Sequence, residues 1–150
     1  LMIVENKYLE DIKRIWKENN SGYITEESNE MLINNDDILK IVYLENNVPA
    51  GYIAVYTKDD FCKLENFPDK IGKEENVAYI WEIVTDKNYM GKGIASKLMQ
   101  YVLEKFKGYK IYSCIAKDNI PSLKLHEKYG FKEAYQFTND KEQLMLLKNN

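Results

Sequence analysis

The sequence has few of the residues that build metal centres and disulfide frameworks. Its 150 residues include one histidine and two cysteines, Cys62 and Cys114, which lie far apart in the chain. A structural zinc site needs about four ligands of these types, and two isolated cysteines are not the pattern of a disulfide-rich secreted domain. We therefore expect no metal and two free thiols, with Cys114 as a buried structural residue rather than a nucleophile.

Long apolar runs and a strong excess of one charge are missing as well. No stretch reaches the roughly 20 apolar residues of a membrane-spanning helix, and the first residues show no signal-peptide pattern. The formal net charge is −3 and the pI about 5.3, which disfavours nucleic acid as a partner. The sequence predicts a cytoplasmic protein that binds neither membranes nor nucleic acid.

The chain shows no linker, internal repeat or low-complexity tract. With 45% apolar and 30% charged residues its composition is ordinary for a globular protein. At this length we predict a single domain over residues 1–150.

The stretch that organises the chain is residues 79–131. Tyr79–Thr85 is rich in aromatic and β-branched residues, which predicts a strand. The turn Met90-Gly91-Lys92-Gly93 follows, and apolar residues recur at helical spacing from Ile94 onward. Because the first turn of a helix has backbone N–H groups without partners, such a turn can hold a phosphate. A tight turn that binds nothing is the alternative.

A second strand and helix follow this unit. Lys110–Ala116 predicts a strand, and Pro121 fits the first turn of a helix that ends at Gly130. A strand, a helix and a second strand in this order imply a right-handed crossover between parallel strands.

Weaker patterns complete the prediction. We expect a short strand at residues 2–5, helices over 8–19 and from Thr25, an antiparallel hairpin of strands 39–44 and 52–56, and a final hairpin of strands 133–138 and 143–147. Asn19, Asn20, Ser21 and Gly22 are expected to end the first helix. Residues 57–76 are the least regular, with Asp59 as the expected cap of a short helix that carries Phe61, Cys62, Leu64 and Phe67.

Two motifs in this stretch resemble those of the GNAT superfamily of N-acetyltransferases. The acetyl-coenzyme A motif of the family is Gln or Arg, two residues, Gly, one residue, then Gly or Ala, and here the segment is Met90-Gly91-Lys92-Gly93-Ile94-Ala95. The second signature, Asn-x-x-Ala/Ser-x-x-Leu-Tyr-Glu-Lys-x-Gly-Phe, matches residues 119–131, with His126 in place of the tyrosine. The resemblance implies a mixed, mostly antiparallel sheet of six or seven strands flanked by about four helices.

The resemblance also implies acetyl-coenzyme A as co-substrate and a set of residues that bind it. Backbone groups before the glycine turn would hold the pantetheine, the turn would hold the pyrophosphate, and the second helix would face the cofactor arm. The implied residues are Ile83, Val84, Thr85, Met90, Gly91, Lys92, Gly93, Ile94, Ala95, Ser96, Asn119, Ser122 and His126. Met90 departs from the motif, so one polar contact to the pyrophosphate is lost while the backbone donors remain.

Glu82 and His126 are the candidate catalytic residues. Glu82 is an ionisable residue in an apolar strand, so burial could raise its pKa and make it a general base; alternatively, it points away from the cleft into a salt bridge or solvent. The family commonly has a tyrosine at position 126 that protonates the departing thiolate, and histidine can do the same. The alternative is that His126 has no catalytic role and is only a polar residue at the mouth of the acceptor cleft.

The predicted function is transfer of an acetyl group from acetyl-coenzyme A to a primary amine of a small molecule or peptide, by direct attack in a ternary complex. A non-catalytic acyl-coenzyme A-binding module of the same fold is the alternative; another nucleotide-binding α/β protein is disfavoured because no Lys-Ser/Thr follows the glycines.

Candidate acceptor contacts are Tyr23, Glu26, Glu27 and Glu30, unless they form a solvated helix face. Residues 57–76 are either a lid or a surface insertion, and a homodimer is the default expectation.

Overall fold

The computed structural model describes residues 2–19, 22–67 and 71–150, which form seven strands and five α-helices. In chain order the elements are β1 (Ile3–Glu5), α1 (Leu9–Asn19), α2 (Glu26–Asn34), β2 (Ile38–Glu45), β3 (Val48–Tyr56), α3 (Phe61–Leu64), β4 (Val77–Thr85), α4 (Ile94–Lys105), β5 (Lys110–Ala116), α5 (Ile120–Lys128), β6 (Lys132–Thr138) and β7 (Glu142–Asn149). A 3₁₀ helix, Lys87–Tyr89, lies between β4 and α4. No helix among the described residues is long and apolar enough to cross a membrane.

The strands form one mixed sheet in the order β1-β2-β3-β4-β5-β7-β6. β4 and β5 are parallel, as the strand–helix–strand pattern predicts, with Val77 opposite Lys110 and Ile80 opposite Ser113. The β1–β2, β5–β7 and β6–β7 pairs are antiparallel. The predicted fold class, a mixed and mostly antiparallel sheet with flanking helices, is confirmed.

The chain divides into two compact units, and β4 contributes residues to both. The first unit comprises Leu1–Val55 and Trp81–Val102, and the second comprises Tyr56–Ile80 and Leu103–Asn150. The prediction of one domain over residues 1–150 stays a prediction.

Local sequence determines where the elements of the first unit begin and end. The sequence predicts a helix from residue 8, but α1 begins at Leu9 because Tyr8 has a φ of +61°, outside the helical region. Thr25 caps α2, since its Oγ1 accepts a hydrogen bond from the backbone N–H of Ser28 at 3.1 Å. Asn20 and Ser21, predicted to end α1, lie outside the described residues.

The core of the first unit comes from α1, α2, β2, β3 and α4. Its fully buried apolar side chains include Ile12, Ile15, Leu32, Ile38, Ile41, Ile53, Ile94 and Leu98. The hairpin between β2 and β3 turns at two asparagines with positive φ, Asn46 at +50° and Asn47 at +67°. These values suit a tight two-residue hairpin turn, which fixes the register of the two strands.

In the second unit, α3 contributes to the core. Phe61 and Cys62 are fully buried, and the Phe61 ring stacks on Tyr79 with centroids 4.6 Å apart. The alternative of a surface insertion is therefore wrong for this helix. The predicted cap is also wrong: Asp60, not Asp59, precedes α3, and its carboxylate instead accepts a hydrogen bond from the Tyr56 hydroxyl at 2.6 Å.

Candidate active site

The end of β4 is half-buried and leads directly toward the glycine turn. Ile83, Val84 and Thr85 are the last three residues of β4. The 3₁₀ helix Lys87–Tyr89 follows, and the next residue, Met90, is 67% exposed. The segment before α4 therefore lies at the surface, where a ligand can reach its backbone.

Both glycines of the turn adopt backbone angles that favour glycine. Gly91 has a φ of +82° and Gly93 a φ of +72°, and a Cβ added at either would meet no atom within 4 Å. The helical hydrogen bond from Lys97 N–H reaches the Gly93 carbonyl, so the N–H groups of Ile94 and Ala95 lie ahead of it in the first turn of α4. Open space and helix N-terminal donors together suit a phosphate or pyrophosphate.

Gly51 of β3 allows α4 to begin close to the sheet. A Cβ at Gly51 would lie 3.0 Å from Cγ2 of Ile94 and 3.1 Å from the carbonyl oxygen of Val84. Ile94, the first residue of α4, is almost fully buried. The position of the glycine turn thus depends on a glycine that lies about 40 residues earlier in the chain, and the sequence pattern did not single it out.

Asp86 fixes the start of the turn from three directions. Its buried carboxylate accepts from the backbone N–H of Asn88 at 3.0 Å, and the Arg14 guanidinium lies 3.4 Å away. Its own N–H donates to the Ala50 carbonyl at 2.9 Å. Asn19 adds a further contact, because its Oδ1 accepts from the backbone N–H of Lys87 at 2.8 Å. Through Arg14 and Asn19, α1 therefore stabilises the segment that leads to the two glycines.

Glu82 lies at the centre of a buried polar cluster in the first unit. Its Oε1 accepts hydrogen bonds from the Tyr52 hydroxyl at 2.7 Å and from Nδ2 of Asn29 at 3.0 Å. Its Oε2 accepts from the Ser28 hydroxyl at 2.9 Å. Only 3% of Glu82 is exposed, and no cationic side chain among the described residues pairs with it. The carboxylate points into neither a salt bridge nor bulk solvent.

Burial determines the acidity of this carboxylate. Removal from water disfavours the charged form and raises the pKa of Glu82, although the hydrogen bonds from Asn29, Tyr52 and Ser28 act in the opposite direction. Burial and the neighbouring carboxylate raise the pKa of Tyr52 well above its ordinary value, so the phenol stays a donor. A raised pKa makes the carboxylate a stronger base than an exposed glutamate.

His126 lies inside the second unit and not at the mouth of a cleft. Its exposure is 0%, and its ring packs edge-on against Phe131 with centroids 4.9 Å apart. Nδ1 lies 2.7 Å from the Ser122 carbonyl oxygen and Nε2 lies 2.8 Å from Oγ of Ser113. The side chain therefore ties α5 to β5.

The partners of the ring assign its tautomer. Because a carbonyl oxygen only accepts, Nδ1 carries the proton, and Nε2 of the neutral ring accepts from the Ser113 hydroxyl. Burial lowers the pKa of His126, while the hydrogen bond to Ser122 raises it by less. The neutral ring is the form that the folded protein favours.

The sequence model of the acetyltransferase (GNAT) family matches residues 7–131. The chain belongs to this family. The match includes the glycine turn, the Glu82 cluster and the whole of the second signature, and it confirms the family that the two motifs predict.

One curated relative of this chain is a Bacillus subtilis subsp. natto protein named "probable spermine N(1)-acetyltransferase". The two sequences are 32% identical over 88 residues, which make up 53% of this chain and 57% of the relative. The aligned region is thus little more than half of either protein.

Solved structures show the same fold. The ribosomal-protein-S18-alanine N-acetyltransferase of Escherichia coli superposes with a TM-score of 0.74 at 14% identity, over 97% of this chain and 92% of that one. Arabidopsis thaliana NAA60 in complex with acetyl-CoA gives 0.73 at 15% identity, over 97% of both chains. An N-acetyltransferase of Staphylococcus aureus Mu50 gives 0.68 at 21% identity, over 98% of both.

Two further residues predicted to contact the cofactor lie at the start of α5. Asn119 precedes the helix without capping it through its side chain, and Ser122 lies one turn before His126. Both are half-buried. Their contact with a cofactor stays a prediction.

The predicted acceptor contacts lie at the surface near α2. Glu26, Glu27 and Glu30 are exposed and Tyr23 is half-buried. The two α2 residues that reach Glu82, Ser28 and Asn29, were not among them. The hydrogen-bonding side chains that surround Glu82 are separated from it by 30 to 54 residues in sequence, and periodicity alone does not indicate such a contact.

Cys114, predicted to be buried, is half-buried in β5. Burial raises the pKa of Cys114 to about 12, and Cys62 is fully buried. Among the described residues, no group of His, Cys, Asp and Glu side chains could hold a metal ion.

Proposed function

We propose that this protein transfers an acetyl group from acetyl-coenzyme A to a primary amine, by direct attack within a ternary complex. The observation that carries the proposal is the buried carboxylate of Glu82, which has no cationic partner among the residues that the structure describes, in a chain of the GNAT family. Amines are protonated near neutral pH, so an enzyme that acetylates them needs a group that accepts a proton.

The backbone before α4 binds the cofactor in this proposal. The open space beside Gly91 and Gly93 and the first N–H groups of α4 fit a pyrophosphate. The exposed Met90 supplies no polar contact, so these backbone donors carry the binding. The strand residues before the turn present backbone groups to the pantetheine, and Asn119 and Ser122 contact the cofactor arm.

Glu82 is the general base. It takes a proton from the acceptor ammonium, directly or through a water, and leaves a neutral amine whose lone pair attacks the thioester carbonyl. The carbon–nitrogen bond forms, the carbon–sulfur bond breaks, and the electron pair leaves on the thiolate. Protonation of the thiolate completes the reaction.

The source of that last proton is open to a direct test. His126 is a candidate, but its burial and its two hydrogen bonds support a positioning role. If His126 is the acid, His126→Phe lowers turnover without weakening acetyl-coenzyme A binding. Unchanged turnover assigns the proton to water.

An alkyl polyamine is the first acceptor to test. The support is the relative named for spermine, which shares 32% identity over the aligned 88 residues. Exposed carboxylates near α2, at Glu26, Glu27 and Glu30, would attract a polycation. The amine of a peptide is the other class in the panel.

Calorimetric titration tests the cofactor assignment. Acetyl-coenzyme A should bind, and ATP and NAD should not. Gly93→Val, which strains the positive φ and fills the open space, should abolish binding without changing the circular dichroism spectrum. A protein that binds ATP or NAD equally well, or no nucleotide at all, contradicts the assignment.

Thiol release with a panel of amines then tests catalysis. Release that depends on spermine, spermidine or a peptide amine supports the proposed transferase. Binding of acetyl-coenzyme A without release for any amine would instead indicate a non-catalytic acyl-coenzyme A-binding module.

A further inference from the structure

The two oxygens of Glu82 are held by different parts of the first unit. Oε1 receives two donors, the Tyr52 hydroxyl and the Asn29 amide, whereas Oε2 receives one, the Ser28 hydroxyl. A carboxylate oxygen accepts about two hydrogen bonds. Oε1 is therefore saturated, and Oε2 has room for one more donor.

The partners of the two oxygens differ in burial. Tyr52 is fully buried and Asn29 is 2% exposed, whereas Ser28 is half-buried. The oxygen with spare capacity is thus the one whose partner lies nearest the surface of the unit.

The two hydroxyl groups that donate to Glu82 also differ in how easily they can reverse their hydrogen bonds. On the Oε1 side, Nδ2 of Asn29 donates to the Tyr52 hydroxyl oxygen at 3.2 Å, and the hydroxyl in turn donates to Glu82. If Tyr52 turned to accept from a protonated Oε1, its own buried O–H would lose the acceptor that it has now. The Ser28 hydroxyl can rotate, so it can donate to a carboxylate and accept from a carboxylic acid.

We propose that Oε2 of Glu82 is the atom that takes the proton from the acceptor amine, and that Ser28 is the positioning residue that makes this possible. The inference rests on the proposed function. An N–H bond of the ammonium breaks and an O–H bond forms at Oε2, so the positive charge leaves the nitrogen and the negative charge leaves the carboxyl group. The new O–H then donates to Oγ of Ser28, whose hydroxyl has turned.

The backbone of Ser28 is held independently of its hydroxyl. Nε1 of Trp81 donates to the Ser28 carbonyl at 3.2 Å, and the cap at Thr25 fixes the first turn of α2. Loss of the hydroxyl therefore leaves α2 in place, and Ser28→Ala tests the hydrogen bond alone.

Few ionisable groups influence Glu82. Tyr52 from β3 is the titratable residue that contacts it, and α2 contributes the neutral Ser28 and Asn29. The charged residues of α2, at positions 26, 27 and 30, are exposed. A change in the titration of Glu82 can thus be traced to the cluster.

The experiment measures the pKa of Glu82 by carbon-13 NMR of its carboxyl group, without any ligand, in the wild type and three variants. Ser28→Ala removes a donor to the charged form, so the pKa should rise by about one pH unit. Ser28→Thr keeps a hydroxyl and should restore the wild-type value. Met31→Gly weakens α2 at an exposed residue and should leave the pKa unchanged.

The kinetic test uses the pH dependence of kcat/KM. The acid limb reports the base of the free enzyme, so it should move to higher pH in Ser28→Ala by the same amount as the NMR value and return in Ser28→Thr. An NMR pKa that is equal in the wild type and Ser28→Ala, or that moves equally in Met31→Gly, overturns the inference while the proposed function stands. A wild type that acetylates no amine overturns both.

Discussion

Replacing Glu82 by glutamine separates the charge of this residue from its shape. The amide oxygen of glutamine can accept from Tyr52 and Asn29, and its NH₂ group can donate to the Ser28 oxygen. No buried donor loses its partner. The variant should therefore keep the fold and lose the base, with a fall in turnover of about 10²–10⁴-fold.

The same change should stabilise the protein at neutral and alkaline pH. Because burial raises the pKa of Glu82 above 4.5, the folded chain keeps a proton that the unfolded chain has released. The contribution of Glu82 to the free energy of unfolding is therefore fully present below its pKa in the unfolded chain. It is lost as the pH rises through its pKa in the folded protein. Glutamine does not titrate, so the stability of Glu82→Gln relative to the wild type increases over the pH range between the two pKa values. One pH unit between the two pKa values corresponds to about 1.4 kcal/mol.

Thermal unfolding at several pH values measures this advantage. Glu82→Gln should melt above the wild type at about pH 8 and together with it at about pH 4. About 1 kcal/mol shifts Tm by about 2–4 °C in a chain of this size, so each pH unit between the two pKa values should add about 3–6 °C to the difference. Glu104→Gln, at an exposed residue paired with Lys107, is the matched control and should change Tm little. Equal destabilisation of Glu82→Gln at both pH values would contradict this prediction, because it would mean that the charged carboxylate of Glu82 stabilises the fold.

Three further changes probe the glycines and the buried histidine. Gly51→Ala should weaken acetyl-coenzyme A binding about tenfold in a calorimetric titration, because the added methyl crowds the start of α4. His126→Phe should lower the free energy of unfolding in urea by about 1–3 kcal/mol by leaving the buried Ser113 hydroxyl without its partner, and adding Ser113→Ala should recover part of the loss. Since burial lowers the pKa of His126 below 6.5, the wild type should lose stability as the pH falls from 6.5 through the folded pKa, and His126→Phe should lack this loss. Gly72→Ala should destabilise the second unit, because a Cβ there would lie 2.3 Å from the ring of Phe61.

Each of these predictions has a contradicting outcome. Wild-type acetyl-coenzyme A affinity in Gly51→Ala would mean that the start of α4 moves freely. Additive losses in the His126 and Ser113 variants would mean that the two side chains are not coupled. An unchanged free energy of unfolding in Gly72→Ala would contradict the close packing of Phe61.

Sequence patterns predicted the structural features that depend on residues close together in the chain. Gly91 and Gly93 indicated the turn because φ values of +82° and +72° favour glycine. Pro121 lies in the first turn of α5 as predicted. The parallel pairing of β4 with β5 followed from the chain order alone.

Contacts between distant segments were not predictable in this way. Glu82 stood out as a charge in an apolar strand, but Ser28, Asn29 and Tyr52 reach it only through the packing of α2 and β3 against β4. The role of Gly51 depends on how closely α4 approaches the sheet. His126 shows the same limit, because the motif placed it on a helix but did not show whether its face is buried.

The most direct test of the account is product analysis. The wild type is incubated with acetyl-coenzyme A and spermine, and released thiol and N-acetylated amine are measured in the same samples by colorimetry and mass spectrometry. The account predicts equal amounts of both products and a loss of both in Glu82→Gln. Thiol release without acetylated amine, or full activity of Glu82→Gln, would contradict it.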